Sequence, residues 1–206
     1  MKRGLLILIS GPAGSGKGSV IAELRKSLDF FYSVSATTRA PRKGDVEGVT
    51  YLFVDRPEFE RMIKNDELLE YAEYVGNYYG TPKAPVVAAL EAGRDVVLEI
   101  ETVGALKVKS KMPEAISVML LPPSGAELRR RLENRGTETP DVIERRMATA
   151  RAEVSKLESY DYVVINETDR TEEAAKTILG ILEAETRRTF RNKSIKENYF
   201  KQDQGE

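Results

Sequence analysis

The sequence contains no cysteine and no histidine. The missing cysteine excludes disulfides and thiolate metal sites, and the missing histidine excludes an imidazole base or an imidazole metal ligand. Any chemistry must therefore use carboxylates, amines, guanidinium groups, hydroxyl groups and backbone amides. These groups suit reactions that depend on positioning and on neutralisation of charge, and phosphoryl transfer is one such reaction.

Long apolar runs and an excess of one charge are also missing. The apolar run Leu5–Ile9 is too short for the core of a signal peptide, and no segment approaches the ~20 apolar residues that span a bilayer. The net charge of −1 gives no reason to expect a nucleic-acid partner. We therefore expect a cytoplasmic protein without a membrane or nucleic-acid partner.

Short apolar runs alternate with segments of helical periodicity. A hydrophobic content of 41% and a charged content of 32% are typical of a folded domain, and 206 residues suffice for one sizeable core. The apolar runs predict fully buried strands at Leu5–Ser10, Asp95–Ile100, Ile116–Leu121 and Asp161–Ile165. The alternation predicts an α/β fold, in which a parallel β-sheet is flanked by helices on both faces.

Several predicted helices have recognisable starts. Ser124 with Glu127 has the capping-box pattern and opens a helix that runs to about residue 135. Thr139 precedes a proline that begins a longer helix, and Thr171 precedes two glutamates that begin the last one. The predicted apolar stripe of the longer helix is Ile143, Met147, Ala150, Val154 and Leu157.

Residues 33–82 interrupt this alternation. They are polar, contain several tyrosines and glycines, and alternate as half-exposed strands do, for example at Thr50–Val54. Asp55 with Glu58 predicts a short capped helix. We interpret this stretch as an inserted α+β lobe.

A glycine-rich loop lies between the first strand and the first helix. Its sequence, Gly11-Pro-Ala-Gly-Ser-Gly-Lys17, matches the phosphate-loop pattern G-x-x-x-x-G-K in the strand–loop–helix order that the pattern requires. Backbone N–H groups and the helix N-terminus would surround a phosphate, and Lys17 would bridge the β- and γ-phosphates. The alternative is a glycine-rich turn with a surface lysine. The predicted ATP-binding residues of the loop are Gly11, Pro12, Ala13, Gly14, Ser15, Gly16, Lys17, Gly18 and Ser19.

One position departs from the usual phosphate loop. The hydroxyl residue that normally binds Mg²⁺ after the lysine is replaced by Gly18, and Ser19 follows one position later. Ser19 is a candidate contact for phosphate or for Mg²⁺, the expected cofactor. The alternative is a hydroxyl that caps the backbone of its own helix.

A second basic loop contains Arg39 and Arg42, which could bind one phosphate as bidentate donors. Spacing alone slightly favours a solvated basic turn. The full motif Ser33-Val-Ser-Ala-Thr-Thr-Arg-Ala-Pro-Arg42 is followed by Gly48-Val-Thr-Tyr-Leu-Phe-Val54 and by Gly76-Asn-Tyr-Tyr-Gly-Thr81. In order and spacing these motifs resemble those of guanylate kinases, and the resemblance extends from about residue 5 to about residue 185.

The resemblance implies a P-loop NTPase that uses ATP and Mg²⁺ to phosphorylate GMP. We expect dGMP to be a substrate as well, because no residue of the motif is assigned to the 2′-hydroxyl. It makes Arg39, Arg42, Tyr51 and Tyr79 the clamp on the acceptor phosphate, and it makes Ser35, Glu70 and Thr81 the readers of the guanine base. Hydrogen-bond chemistry agrees with this role for Glu70. An ionised carboxylate can only accept hydrogen bonds, and guanine offers N–H donors at N1 and N2. The alternatives are a helix-surface acid for Glu70 and lobe-core packing for the tyrosines.

Two acids follow the strand near residue 96. Glu99 and Glu101 would share a face at the carboxyl end of a buried strand, where ligands bind in open α/β sheets. The resemblance implies that Glu99 lies near Mg²⁺ and Glu101 near the acceptor nucleotide. Many relatives have aspartate at both positions, so the longer Glu99 favours a water-mediated metal contact. Strand-end acids that face solvent are the alternative.

Arginines cluster in the two helices after residue 124. Arg131 and Arg135 lie four apart on one helical face, and Arg146 comes from the next helix. The resemblance implies that Arg131 and Arg146 reach the transferred phosphoryl group, and that Arg135 and Asn166 lie near the adenine. A solvated helix face is the alternative.

The resemblance also implies a division of the single domain into parts. These are a core (about 1–32, 83–124 and 161–190), a GMP-binding lobe (about 33–82), a helical lid (about 125–160) and a basic tail (about 191–206). Homo-oligomer formation stays open. Rival interpretations are a catalytically inactive protein-interaction module and a kinase for another monophosphate, and the intact phosphate loop argues against the first.

Overall fold

The computed structural model describes residues 3–199 apart from 75, 135, 137 and 138. Its strands are β1 (Leu6–Ser10), β2 (Phe31–Tyr32), β3 (Ala36–Thr37), β4 (Leu52–Phe53), β5 (Leu68–Tyr74), β6 (Asn77–Pro82), β7 (Val96–Glu99), β8 (Ile116–Leu121) and β9 (Tyr162–Ile165). Its helices are α1 (Lys17–Leu24), α2 (Arg56–Lys64), α3 (Lys83–Glu91), α4 (Thr102–Lys111), α5 (Gly125–Glu133), α6 (Pro140–Val154), α7 (Thr171–Thr186) and α8 (Lys193–Asn198). Short 3₁₀ helices occur at Leu157–Ser159 and Thr189–Arg191.

The larger sheet has the strand order β2-β7-β1-β8-β9, and all its neighbouring strands are parallel. The central strand β1 is buried along its whole length, which explains its continuous apolar sequence. The predicted parallel α/β fold is confirmed. Because β1 is central, the loop that follows Ser10 starts from the middle of the sheet.

Both faces of this sheet are covered by helices. On one face Ile7 and Val97 pack with residues of α1 and α7, such as Leu24 and Ile178. On the other face the core consists of residues from the sheet, α3 and α4, such as Leu8, Leu90, Leu98 and Val108. Full burial of each such side chain contributes about 1.5–3 kcal/mol.

The last strand of the sheet differs from its prediction. The run was predicted to be fully buried, but Val163 is 47% and Ile165 41% exposed, whereas Val164 is 2% exposed. Within the described chain β9 pairs only with β8 and forms an edge of the sheet. One face of β9 is therefore open despite its apolar sequence.

A smaller sheet with the order β4-β3-β6-β5 lies within the stretch 33–82, together with α2 and the connecting loops. Phe59 and Met62 of α2 pack beneath it against Ala36 and Leu68. The predicted capped helix is confirmed, since the Asp55 side chain accepts from the Glu58 N–H at 2.8 Å.

Helices α5 and α6 pack on each other through Leu128, Leu132, Ile143 and Met147. Ala13 of the glycine-rich loop packs against this cluster and connects the helix pair to that loop. The predicted stripe of α6 is wrong beyond Ala150. Val154 is 39% exposed and ends the helix, and Leu157 lies in a separate 3₁₀ helix.

The tail and several helices were not specified by the sequence patterns. Helix α4 has no side-chain hydrogen bond at its N-cap, so it lacks the capping pattern that marked α2 and α5. Helix α8 lies within the basic tail.

Among the described residues, none of the helices has both the length and the apolar character needed to cross a membrane.

Candidate active site

The glycine-rich loop connects β1 directly to α1, as predicted. Gly16 is the N-cap of α1 and has a left-handed backbone (φ 88°), and a Cβ there would lie 2.4 Å from Asn166 Nδ2. A Cβ at Gly11 would lie 2.1 Å from the Leu120 carbonyl oxygen. The loop therefore needs glycine at both positions to curl against β8 and the end of β9.

Polar groups of the loop are directed inward. Lys17 Nζ donates to the carbonyl oxygens of Gly11 (2.6 Å) and Pro12 (3.3 Å) and so lies back across the loop. The Ser15 hydroxyl is fully buried and has no hydrogen-bond partner among the described residues. A loop that presents a lysine, an unsatisfied hydroxyl and a helix N-terminus is suited to bind phosphate.

A cavity of about 320 Å³ lies between the smaller sheet and the start of α4. Its lining includes the predicted residues Ser35, Tyr51, Glu70, Tyr79, Glu99 and Glu101. The fold thus brings together residues that are separated by up to 66 positions in the sequence (101 − 35).

Glu70 is the buried acid of this cavity. It lies on β5 and is only 8% exposed, so its alternative interpretation as a helix-surface acid is wrong. Burial raises the pKa of Glu70, and a hydrogen bond from Thr81 opposes that rise. Thr81 Oγ1 donates to Glu70 Oε1 at 2.8 Å, so this predicted base reader contacts the carboxylate itself.

A second cavity of about 310 Å³ connects this region to the glycine-rich loop. Lys17, Tyr32 and Ser33 line it, and it shares Ser35, Tyr51, Glu99 and Glu101 with the first cavity. The two cavities therefore adjoin, and together they extend from the buried carboxylate of Glu70 to the amine of Lys17.

Arg39 lies beside the tyrosines of the first cavity. Its guanidinium carbon is 5.2 Å from the centroid of the Tyr51 ring, and the Tyr51 and Tyr79 rings are 5.9 Å apart. Its Nη2 pairs with Asp45 Oδ2 at 2.9 Å, and both side chains are only 11–12% exposed. Tyr51 and Tyr79 are half-buried, so they contribute both to the packing of the lobe and to the cavity wall.

Asp45 is held from two directions. The backbone N–H of Arg42 donates to its Oδ2 at 2.7 Å, and this bond and Arg39 hold the pKa of Asp45 below its usual range. The side chain of Arg42 is exposed and is not among those that line either cavity. The structure therefore brings Arg39, but not Arg42, to the tyrosines.

Glu99 ends β7 and faces the second cavity. The Tyr32 hydroxyl donates to Glu99 Oε2 at 3.1 Å, and burial raises the pKa of Tyr32, so this donor stays protonated. Glu101 is the exposed N-cap residue of α4 and does not belong to the strand. The two acids thus reach the same cavity from two elements instead of one strand face.

The donor set fits a magnesium ion that is shared with a nucleotide. Mg²⁺ is usually bound by one or two carboxylates together with substrate phosphates, and Glu99 lies in the cavity that Lys17 lines. No cluster of three or more acidic side chains able to hold a metal occurs in the described part of the chain. Ser19 is exposed on the first turn of α1 and does not line this cavity.

Arg131 of α5 contacts the glycine-rich loop and the end of β9. Its Nη2 donates to the carbonyl oxygen of Asn166 at 2.9 Å, and its Nη1 donates to that of Ser15 at 3.5 Å. Its Nε donates to Glu127 Oε1 at 2.7 Å. These contacts argue against its interpretation as part of a solvated helix face.

Glu127 fixes Arg131 in this position. Its carboxylate also accepts from Arg130 and Thr168, and these partners lower the pKa of Glu127 to about 2. The Glu127 backbone N–H is capped by Ser124 at 3.1 Å. Of the predicted capping box, the Ser124 bond is formed, whereas the Glu127 carboxylate binds Arg130, Arg131 and Thr168 and so orients Arg131.

Asn166 is the buried residue that follows β9. It is 3% exposed, and its Nδ2 donates to the Ser15 carbonyl oxygen at 2.9 Å. Its Oδ1 is buried and has no hydrogen-bond partner among the described residues. The amide thus holds the glycine-rich loop and keeps one acceptor available for a ligand.

Two further arginines were predicted to belong to the site, Arg146 and Arg135. Arg146 is half-buried on α6, beside Met147 of the α5–α6 core. Arg135 lies outside the described residues.

Several site residues were missed by the sequence reasoning: Tyr32, Asp45, Glu127 in its orienting role, and Glu153. The Glu153 carboxylate on α6 accepts from Thr102, and burial raises its pKa while nearby Lys17 opposes the rise. Glu153 lies seven residues after Arg146, on the same side of a helix, so helical spacing could have indicated it. Tyr32 and Asp45 carry no comparable signal.

Comparison with known proteins agrees with this geometry. The protein-family model described as guanylate kinase matches residues 3–185 of this chain. Guanylate kinase of Halalkalibacterium halodurans is 55% identical over 185 residues, 89% of this chain and 90% of the relative. That of Clostridioides difficile is 46% identical over 204 residues, 98% of both chains.

Similarity also extends to three dimensions. The crystal structure of guanylate kinase from Anaplasma phagocytophilum has a TM-score of 0.74 at 34% identity and covers 97% of each chain. The matched stretch includes the glycine-rich loop, both cavities and the Arg131 contacts, so sequence similarity and geometry agree. The chain therefore belongs to the guanylate kinase family.

Proposed function

We propose that this enzyme transfers the γ-phosphoryl group of ATP to GMP, or to dGMP, and produces ADP and GDP or dGDP. The observation that carries the proposal is the pair of adjoining cavities. One contains a buried acceptor-only carboxylate, and the other contains the phosphate-loop lysine. Base recognition and phosphate chemistry are thus available in two cavities that share part of their walls.

Guanine recognition follows from hydrogen-bond chemistry. The Glu70 carboxylate accepts from N1–H and from the N2 amino group of guanine, and Ser35 supplies a hydroxyl for O6. Adenine has a lone pair at N1, which would face the carboxylate without a proton between them. A buried acceptor left unpaired in this way costs affinity, and that cost gives the site its selectivity.

The acceptor phosphate is bound by Arg39, Arg42, Tyr51 and Tyr79. When GMP binds, Arg39 exchanges part of its contact with Asp45 for the phosphate, and Tyr51 and Tyr79 donate from the cavity wall. Glu101 lies beside the acceptor nucleotide. Arg42, now exposed, joins the phosphate by movement of its loop.

The ATP phosphates are bound by the loop from Gly11 to Ser19, with Lys17 at the transferred group. Arg131 and Arg146 neutralise charge on that group, while Arg135 and Asn166 lie against the adenine. Charge neutralisation and in-line positioning account for catalysis, and no residue becomes covalently modified. In this proposal residues 33–82 form the GMP lobe, residues 125–160 form the lid, and the core binds ATP. The enzyme acts in the cytoplasm.

Glu99 would hold Mg²⁺ through water, together with the ATP phosphates. The metal supplies neutralisation of the phosphate charge when bound. Tyr32 fixes the Glu99 carboxylate by donating to it.

Removal of metal is expected to abolish turnover. Excess EDTA should stop formation of GDP, and added Mg²⁺ should restore it, because ATP would otherwise present uncompensated charge. Ser19→Ala is expected to keep the same Mg²⁺ concentration dependence, since Ser19 is exposed and lies outside the cavity. The measurement is the initial rate against free Mg²⁺. Turnover that persists in EDTA would contradict the proposal, and a shifted Mg²⁺ dependence in Ser19→Ala would make Ser19 a metal contact.

GMP binding is expected to weaken at acidic pH. Burial raises the pKa of Glu70 above its ordinary value of 4.5, so protonation begins at a higher pH than for an exposed glutamate. Protonation removes acceptor capacity and should raise KM for GMP, while KM for ATP changes less. KM for GMP that stays constant down to pH 4.5 would contradict the assignment.

The raised pKa of Glu70 also means that ionisation of Glu70 disfavours the empty folded state. The contribution of this group to folding stability is therefore lost as pH rises through the raised pKa.

A direct test identifies the product. The protein is incubated with ATP, Mg²⁺ and one monophosphate from GMP, dGMP, AMP, CMP and UMP, and nucleotides are separated by ion-exchange chromatography. We expect GDP and dGDP in amounts equal to ADP. A different diphosphate would indicate a kinase for another monophosphate, and no diphosphate at all would indicate a binding module.

A further inference from the structure

Helix α4 approaches the Glu70 carboxylate unusually closely at Gly104. Gly104 lies in the first turn of α4, is buried, and lines the cavity that contains Glu70. A Cβ on Gly104 would lie 2.7 Å from Oε2, 3.1 Å from Cδ and 3.4 Å from Cγ of Glu70. Non-bonded carbon atoms prefer about 3.5–4.0 Å, so the present position of Glu70 requires that residue 104 has no side chain.

The carboxylate is held on its other side by Thr81. Thr81 Oγ1 donates to Oε1 at 2.8 Å, while Oε2 is the oxygen that faces Gly104. Thr81 is 1% exposed and so has little freedom to follow a displaced partner. The carboxylate therefore lies in a slot between a hydroxyl of β6 and the bare backbone of α4.

The first turn of α4 also favours a negative charge in this slot. The N-terminal end of a helix carries partial positive charge, and Gly104 is its third residue. Lys107, one turn later, lowers the pKa of Glu70 against the larger effect of burial. The close approach that glycine permits thus brings the carboxylate to the end of the helix that stabilises its ionised form.

We propose that Gly104 is a positioning residue that sets base specificity, because it allows Glu70 to occupy the slot from which its oxygens reach guanine. This inference rests on the proposed function. A methyl group at residue 104 must displace Glu70, since the atoms it meets are the end of a flexible side chain and not backbone. The fold survives such a displacement, and the damage appears in GMP recognition.

Gly104→Ala tests this directly. We expect kcat/KM for GMP to fall about 10- to 100-fold, mainly through KM, because a hydrogen bond to a charged group is lost or stretched. KM for ATP should stay within about twofold, since the ATP site does not include this slot, and the thermal unfolding transition should remain cooperative.

The matched control is Gly180→Ala. Gly180 lies within α7, and a Cβ there would meet nothing within 4 Å. Both substitutions replace a helical glycine by alanine, which has the higher intrinsic helix propensity. Gly180→Ala should leave both KM values unchanged, so a loss that is confined to Gly104→Ala reports the Glu70 contact.

A second variant separates positioning from a general structural effect. In a Glu70→Asp background the shorter side chain withdraws from α4, so adding Gly104→Ala should lower kcat/KM for GMP by less than about threefold. An equal loss in both backgrounds would overturn the proposal, and so would an unchanged KM for GMP or a lost unfolding transition in the single variant. A wild-type enzyme without preference for GMP would instead refute the proposed function. The wild-type preference and the effect of Gly104→Ala are separate measurements, so the two failures can be distinguished.

Discussion

Lys17→Met is expected to lower kcat by about 10²–10³, as seen when one preorganised donor to a developing charge is removed. Lys17 extends across the glycine-rich loop, where its Nζ donates to the carbonyl oxygens of Gly11 and Pro12. Methionine keeps much of the length and apolar character of the side chain but cannot neutralise charge on the transferred phosphoryl group. The loop should keep its path, because Gly11 lies against the Leu120 backbone and Gly16 against the Asn166 side chain. The Asn166 amide in turn donates to the Ser15 carbonyl oxygen.

Lys26→Met provides the matched control. Lys26 follows α1, is 70% exposed and pairs with Glu23 on the surface. Steady-state kinetics and thermal unfolding of both variants should show a large loss of kcat for Lys17→Met alone, with little change in the unfolding midpoint of either. A folded Lys17→Met protein with near-normal turnover would remove Lys17 from the chemical step.

Glu70→Gln is expected to lower kcat/KM for GMP by about 10² or more, because the amide replaces one acceptor by a donor that opposes a guanine N–H. KM for ATP should change little. The same substitution should stabilise the empty protein at neutral pH, since burial of the ionised carboxylate disfavours the folded state, as its raised pKa indicates. Reduced GMP use together with increased stability is the expected combination.

Glu73→Gln is the control for that substitution. Glu73 lies three residues further along β5, and its side chain is 50% exposed and 3.7 Å from Arg56. A surface pair of this kind contributes about 0–1 kcal/mol, so kinetics should match the wild type. Equal kinetics for Glu70→Gln and Glu73→Gln would return Glu70 to a structural role in the cavity wall.

Local sequence patterns predicted the elements that are determined by local physics. β1 reads as a buried strand because both faces of the sheet are covered, and the glycine spacing before Lys17 follows from backbone geometry that only glycine permits. The caps at Asp55 and Ser124 are contacts across three residues, so they too are visible in the sequence.

Features that depend on distant partners could not be predicted in the same way. The burial of β9 depends on whether another strand follows it in the sheet, and its apolar residues do not carry that information. Glu127 has the capping pattern, yet Arg130, Arg131 and Thr168 compete successfully for its carboxylate.

The same contrast between local and distant contacts applies to the candidate site. Glu70 follows two leucines in a segment that fits a helix surface equally well, and only the pairing of β5 with β6 brings it to Thr81. The role of Gly104 depends on a contact 34 positions away in the sequence (104 − 70). The family resemblance identified Glu70, whereas its slot is visible only in the fold.

The central claim is most directly tested by kcat/KM of the wild-type enzyme for GMP and for AMP at saturating ATP and Mg²⁺. The two acceptors have the same sugar and phosphate, so their ratio isolates the contribution of the base that faces Glu70. A site built to hydrogen-bond particular groups rejects an analogue that lacks them by ~10⁴ or more, and we expect a GMP preference of that order. Use of AMP within tenfold of GMP would contradict the assignment of this cavity as a guanine site.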